Sequence, residues 1–214
     1  MKKLALLYII RQKQKGELMR KYLILASKSK RRTQILSSCG IRHKVFKAQV
    51  KEHPHTHTTI SRLVVLNARK KAEYAARFFK DNVILGVDTL VLLKGKAIGK
   101  PKDKKHALSM LKNCLGKTII VYTGLCIIDT KSKKIVTDID KTSIRVKRID
   151  KKDIGAYFEL MKPYDKAGAF SIEGAGSILF DNLKGSYFNV LGLSTDKLEQ
   201  LLKKAGYNIL DFIV

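Results

Sequence analysis

The 214-residue chain is 45% hydrophobic, 29% charged and 7% aromatic, with no Trp. That composition buries an ordinary core, which excludes disorder and collagen-like structure, and no apolar run approaches the ~18–20 residues that cross a bilayer. Lys and Arg outnumber Asp and Glu by 44 to 18, a formal charge of +26. Such a surface attracts polyanions. The cations are mostly Lys and are spread along the whole length, so nucleic acid is expected to bind only non-specifically. Cys39, Cys114 and Cys126 lack CxxC spacing and read as reduced thiols of a cytosolic protein.

Residues 1–20 stand apart as an N-terminal extension ahead of a single domain at 21–214. Lys2-Lys3 before Leu4–Ile10 mimics the start of a secretory signal. Arg11, Lys13 and Lys15 follow without a small-residue cleavage site, which argues against one and makes Met19 a candidate translation start. Tyr22–Ala26 is a continuous apolar run, the pattern of a strand buried on both faces. A short helix is expected from about Thr33 to Ser38, closed by Gly40, then a strand at Val45–Val50. Apolar residues recur at helical spacing over 61–80. Val83–Leu93 reads as a strand broken by Gly86, and Lys94-Gly95 turns it into a hairpin with Ala97-Ile98. Asp103 caps a helix to Cys114. Thr118–Asp129 and Lys134–Arg148 pair as long antiparallel strands, and Asp150 opens a helix to Leu160 that marks a seam between two lobes. Ser177–Phe180 and Tyr187–Leu191 are expected as a last hairpin, followed by a helix at Thr195–Lys204 stopped by Gly206. The sum is a mixed α/β protein with a substantial antiparallel component.

Three segments hold more Gly and charge than a scaffold requires. Ser27-Lys28-Ser29-Lys30-Arg31-Arg32 lies between a strand and a helix, where free backbone N–H groups and the helix dipole favour anions. Its hydroxyls and guanidinium forks suit a phosphate chain, and they equally suit a capped helix start with solvated charge. In Gly86-Val87-Asp88-Thr89, Asp88 interrupts an apolar strand. A buried carboxylate is costly unless it is paired, hydrogen-bonded or metal-bound, so it is either a functional group or a structural acid satisfied by backbone donors. Lys100, beside the stiffening Pro101, is a candidate phosphate contact. The third segment, Tyr164–Gly176, is rich in small residues and reads as a close ligand approach or as a tight crossing of strands.

Taken together, LILAS-x-S-x-RR, G-x-DT, GKPK, VYTG, DKAGAF-x-I-x-G-x-G and GSY-x-NV-x-GL, in that order over about residues 21–206, resemble the Maf family of cytosolic nucleoside triphosphate pyrophosphatases, historically linked to septum formation. The resemblance implies an elongated, mixed, partly antiparallel sheet flanked by helices, in two lobes with a cleft between them. It implies cleavage between the α- and β-phosphates with a divalent cation, Mg²⁺ or alternatively Mn²⁺, in a cytoplasmic homodimer. Carried onto matching positions, Ser27, Arg31 and Arg32 grip the phosphates with Lys71 and Lys100. Asp88 activates water and helps hold the metal, and Glu52 is the metal-side glutamate. Lys51 stands where the family usually has Asp. Three positions separate family members acting on dTTP and UTP (Arg, Thr, Gln) from those acting on 7-methyl-GTP (Trp, Gln, Glu). Here they are Arg31, Thr89 and Glu173, two of the first type and one of the second.

The resemblance therefore points to dTTP and UTP as substrates, with 7-methyl-GTP as the alternative. From a different class, the alternative is a basic nucleic-acid-binding or division-regulating protein with vestigial catalysis. His53, His55 and His57 recur at period two beside Glu52, an arrangement able to take Zn²⁺ or Ni²⁺ adventitiously if extended.

Overall fold

Three parallel strands start the sheet. Strand β1 (Leu23–Ala26) is fully buried and pairs in parallel with β2 (His43–Val45) on one side and β3 (Val83–Leu93) on the other. The structure is a computed structural model and describes residues 21–53, 58–150, 152–161 and 172–213. Residues 1–20, His55, His57 and most of the Tyr164–Gly176 segment, up to Ser171, lie outside that range.

The remaining elements follow in chain order. Helix α1 (Lys30–Ser38) joins β1 to β2, and α2 (Ile60–Ala76) joins β2 to β3. β4 (Lys96–Ile98) and α3 (Lys104–Cys114) precede the long pair β5 (Thr118–Asp129) and β6 (Ile135–Val146). Helix α4 (Ile154–Met161), a 3₁₀ turn (Gly174–Leu179), β7 (Phe180–Lys184), α5 (Tyr187–Leu191), α6 (Thr195–Ala205) and a last 3₁₀ turn (Ile209–Phe212) complete the chain. The seven strands among the described residues form one open sheet in the order β2-β1-β3-β5-β6-β7, with β4 on the far end of β3. Pairing is parallel among β2, β1 and β3 and antiparallel elsewhere. This is the mixed, partly antiparallel sheet expected from the sequence.

Side-chain alternation along β3 sends its residues to two cores. Val83, Leu85, Val87 and Val91 join the larger cluster with α3, α5 and α6, while Ile84 joins a smaller one with Ala68, Ala72 and Ala75 of α2. The small side chains of α2 let that helix lie close on the sheet. Gly86 of β3 and Gly124 of β5 complete the close approach. A Cβ on Gly86 would stand 2.1 Å from the Ala68 carbonyl oxygen, and one on Gly124 would stand 2.4 Å from the Val64 backbone. Gly86 therefore does not break the strand as expected; β3 runs unbroken, and the glycine makes room for a helix.

Other expectations shift for identifiable reasons. β2 ends at Val45 instead of beginning there: its register with β1 stops at Leu25–Val45, and the Phe46 N–H makes a last bond to the Leu25 carbonyl at 2.9 Å. Phe46 packs its ring against Phe78 and Phe79, each with centroids 5.3 Å away. α1 begins at Lys30 rather than near Thr33, which puts Arg31 and Arg32 in its first turn. The Asp153 N–H donates to the Asp150 carbonyl at 3.0 Å, and α4 starts at Ile154 rather than at Asp150. The expected last hairpin is absent. Phe180–Lys184 pairs with β6, while Ser186 caps α5 by accepting the Asn189 N–H, and Gly192 ends that helix at φ 105°. Asp103 caps α3, and Gly206 stops α6, as expected.

Candidate active site

The site arises where β3 lacks a neighbour on one side among the described strands. β1 pairs with it as far as Gly86, and β4 begins pairing at Val91, so among the described strands Val87–Leu90 have only β5 alongside. At this gap β1 turns away through Ser27-Lys28-Ser29 into α1. Alternation then sends Asp88 toward α2, on the face of Ile84, and Thr89 toward the opposite face.

On the α2 face, Asp88 is 5% exposed. Its Oδ1 accepts a hydrogen bond from Lys71 Nζ at 2.7 Å, and its Oδ2 accepts one from Asn67 Nδ2 at 3.2 Å. The same Lys71 Nζ lies 2.6 Å from Glu52 Oε1, so one ammonium stands between two carboxylates. Lys71 is largely buried and Glu52 half exposed, which opens the group to solvent on the Glu52 side. Lys71 offsets one of the two carboxylate charges directly, and the Arg32 guanidinium lies near enough to Asp88 and Glu52 to feel both. Among the described residues no group of three or more His, Cys, Asp or Glu converges in a metal-binding arrangement.

On the other face, Arg32 is bound into the protein. Its Nε donates to the Gly192 carbonyl at 2.9 Å. Nη1 donates to Ser27 Oγ at 2.8 Å and to the Val87 carbonyl at 3.0 Å, and Nη2 to Thr89 Oγ1 at 3.0 Å. Burial pulls the Arg32 guanidinium down to about 10, against the nearby negative charges of Asp88 and Glu52, which raise it. It remains a cation at neutral pH. The Val87 carbonyl it takes is one that the gap beside β3 would otherwise leave without a strand partner. Ser27 and Thr89, expected to touch substrate, are partners of this guanidinium, and Thr89 also meets Thr123 Oγ1 at 3.0 Å.

Arg31, one residue earlier, faces outward and forms an ion pair with Glu173 at 3.3 Å. The two positions that disagree about substrate type are thus in contact. Lys100 is exposed on the loop after β4, and no ion pair joins it to Asp88 or Glu52 among the described residues. The structure therefore gathers Glu52, Lys71 and Asp88 on one face and Ser27, Arg32 and Thr89 on the other, links Arg31 to Glu173, and leaves Lys100 apart. Burial raises the Cys114 and Cys126 thiols to about 11 and about 12, so both stay protonated at neutral pH and neither is poised as a nucleophile.

Asn67 was not singled out from the sequence, yet it is 3% exposed and joins this group. A signal was available: it lies four residues before Lys71, on the same face of α2, as the polar member of a buried row with Leu63, Val64, Ala68, Ala72 and Ala75.

Comparison with known proteins agrees with the motif order. The family described as Maf-like protein matches residues 22–205. A protein named dTTP/UTP pyrophosphatase from Thermoanaerobacter sp. (strain X514) is 36% identical over 182 residues, 85% of this chain and 95% of its own. Proteins of the same name from Dictyoglomus turgidum and Methanococcoides burtonii are 35% and 36% identical over 193 and 190 residues. The match covers 90% and 88% of this chain, and 100% and 97% of theirs. The gap in β3 with its buried aspartate, the matched span and these near-complete alignments agree: the chain belongs to the Maf family.

Proposed function

We propose that this protein hydrolyses nucleoside triphosphates between the α- and β-phosphates, releasing a nucleoside monophosphate and pyrophosphate. The observation that carries this reading is the buried Asp88 carboxylate, held beside Glu52 through Lys71 at the gap in the sheet. Phosphoanhydride hydrolysis needs an oriented water and neutralised charge rather than a covalent nucleophile. Asp88 accepts a proton from the attacking water as general base. Lys71, Arg31 and Lys100 offset the phosphate charge, and Arg32 holds Ser27 and Thr89 in place and offers its remaining Nη2 donor.

The donor set at Lys71 fits a hard divalent cation. Two carboxylate oxygens converge on one point from 2.6 and 2.7 Å, and Mg²⁺ is commonly held by one or two carboxylates with water and phosphate oxygens completing the shell. Glu52 and Asp88 would hold Mg²⁺, or Mn²⁺ in its place; when bound, the ion supplies charge neutralisation for the phosphates and lowers the pKa of bound water. No helix among the described residues is long and apolar enough to cross a membrane. A cytoplasmic homodimer belongs to this reading.

The preferred substrates are dTTP and UTP, the activity named in the relatives. Arg31 and Thr89 match that type, and the departing Glu173 carboxylate is engaged by Arg31. A carboxylate neutralised in this way offers less to a cationic methylated guanine than an unpaired one does. Steady-state kcat/KM for dTTP, UTP, CTP and 7-methyl-GTP tests the assignment. The first two should lead, and Glu173→Gln should move their values less than tenfold. A tenfold advantage for 7-methyl-GTP in the unaltered protein overturns the substrate preference.

A further inference from the structure

We propose that Asn67 is the positioning residue that locks the Asp88 carboxylate and the Glu52 segment into one cation-binding unit; this rests on the reading of Asp88 and Glu52 as the metal-side pair. Asn67 Oδ1 accepts the His53 backbone N–H at 2.8 Å, while its Nδ2 donates to Asp88 Oδ2 at 3.2 Å. The amide orientation follows from the partners alone. The reverse would set N–H against N–H and oxygen against carboxylate. One side chain thus fixes both the rotation of Asp88 and the course of the chain beside Glu52.

The residue type is demanding. Asp at position 67 would keep the bond to His53 but place two carboxylates in contact. Leu, of similar size, would leave the His53 N–H and Asp88 Oδ2 without this partner. A short amide gives an acceptor to one and a donor to the other from two separate atoms.

Charge separates Asn67 from the second bridge. Lys71 also joins Glu52 to Asp88, but its ammonium carries the same sign as a divalent cation and would compete with one for those two carboxylates. The neutral amide has no such conflict. It approaches Asp88 through Oδ2, leaving Oδ1 as the oxygen that shares Lys71 with Glu52, so its two hydrogen bonds are compatible with an occupied and an empty cation site alike. Lys71 balances the pair when no metal is present, and Asn67 keeps the pair aligned in both states.

Groups that orient metal ligands typically cost about 10–100-fold in metal affinity or activity when removed. The test measures Mn²⁺ binding by electron paramagnetic resonance without nucleotide, and kcat, KM for dTTP and the Mg²⁺ concentration for half-maximal rate. Each is compared among the unaltered protein, Asn67→Leu and Asn67→Ala. Both variants should weaken Mn²⁺ binding and raise the half-maximal Mg²⁺ concentration about tenfold or more. They should lower kcat at sub-saturating metal, while KM for dTTP at saturating metal changes less than threefold. A merely structural role would lower the melting temperature without moving the metal dependence, and that result overturns the inference. If the unaltered protein is active and either folded variant binds Mn²⁺ as tightly as it does, the inference alone fails. If the unaltered protein turns over no nucleoside triphosphate, the functional reading fails and Asn67 loses its role with it.

Discussion

Asp88→Asn should yield a folded protein that hydrolyses dTTP about 10²–10⁴ times more slowly, the usual cost of losing a general base. The substitution is nearly isosteric, so β3 and its pairing with β5 are preserved. What changes is the pattern of donors and acceptors. Both carboxylate oxygens accept, from Lys71 and from Asn67, and an amide can accept from only one of them. The other contact becomes donor against donor, costing about 1–3 kcal/mol of stability. Lys71 retains Glu52 as an ion-pair partner, which limits the damage to the fold. Rate and melting temperature measured on the same preparation separate the two effects. Retention of more than half the normal rate would remove Asp88 from the chemistry.

Gly86→Ala should be the most damaging single-methyl change in the sheet. The added carbon would overlap a backbone oxygen at 2.1 Å and crowd the Ala72 nitrogen and Cβ at 2.9 Å, with no flexible side chain to yield. Helix α2 must then lift from β3. Overpacking costs typically 1–3 kcal/mol and more where backbone is involved, so about 3 kcal/mol is a reasonable floor. For a chain of this size that corresponds to a fall in melting temperature of roughly 10 °C. Because α2 carries Asn67 and Lys71, turnover should fall as well. Gly155→Ala in α4, where nothing lies within 4 Å, is the matched control and should leave both properties nearly unchanged. Equal melting temperatures for the two variants would contradict the packing described for α2.

The parts of this arrangement that were legible in the sequence are those fixed by local pattern. The apolar runs of β1, β3 and β5 announce strands, the α2 periodicity announces a helix, and Asp88 stands out because a carboxylate inside VILGVDTLVLL demands a partner. Lys71, Glu52 and Glu173 came through motif order and not through periodicity.

What stayed hidden depends on distant partners. Arg32 reads locally as a phosphate fork, and only the fold brings it the Gly192 carbonyl and Thr89. Gly86 reads as a strand breaker until α2 is seen lying on it. The Tyr187–Leu191 run has strand-like residues, yet Ser186 and Gly192 at its ends make it a helix, a capping signal that local propensity obscured. Asn67 is the clearest case. A single polar residue in a buried helical row has no meaning until the strand beneath it is known to present Asp88.

Product analysis of dTTP hydrolysis in Mg²⁺ tests the assigned chemistry most directly. Nucleotides are resolved by ion-exchange chromatography, and pyrophosphate is distinguished from phosphate by ³¹P NMR. The unaltered protein should release dTMP and pyrophosphate in equal amounts, and Asp88→Asn should release neither above background. Formation of dTDP and inorganic phosphate instead would contradict cleavage between the α- and β-phosphates.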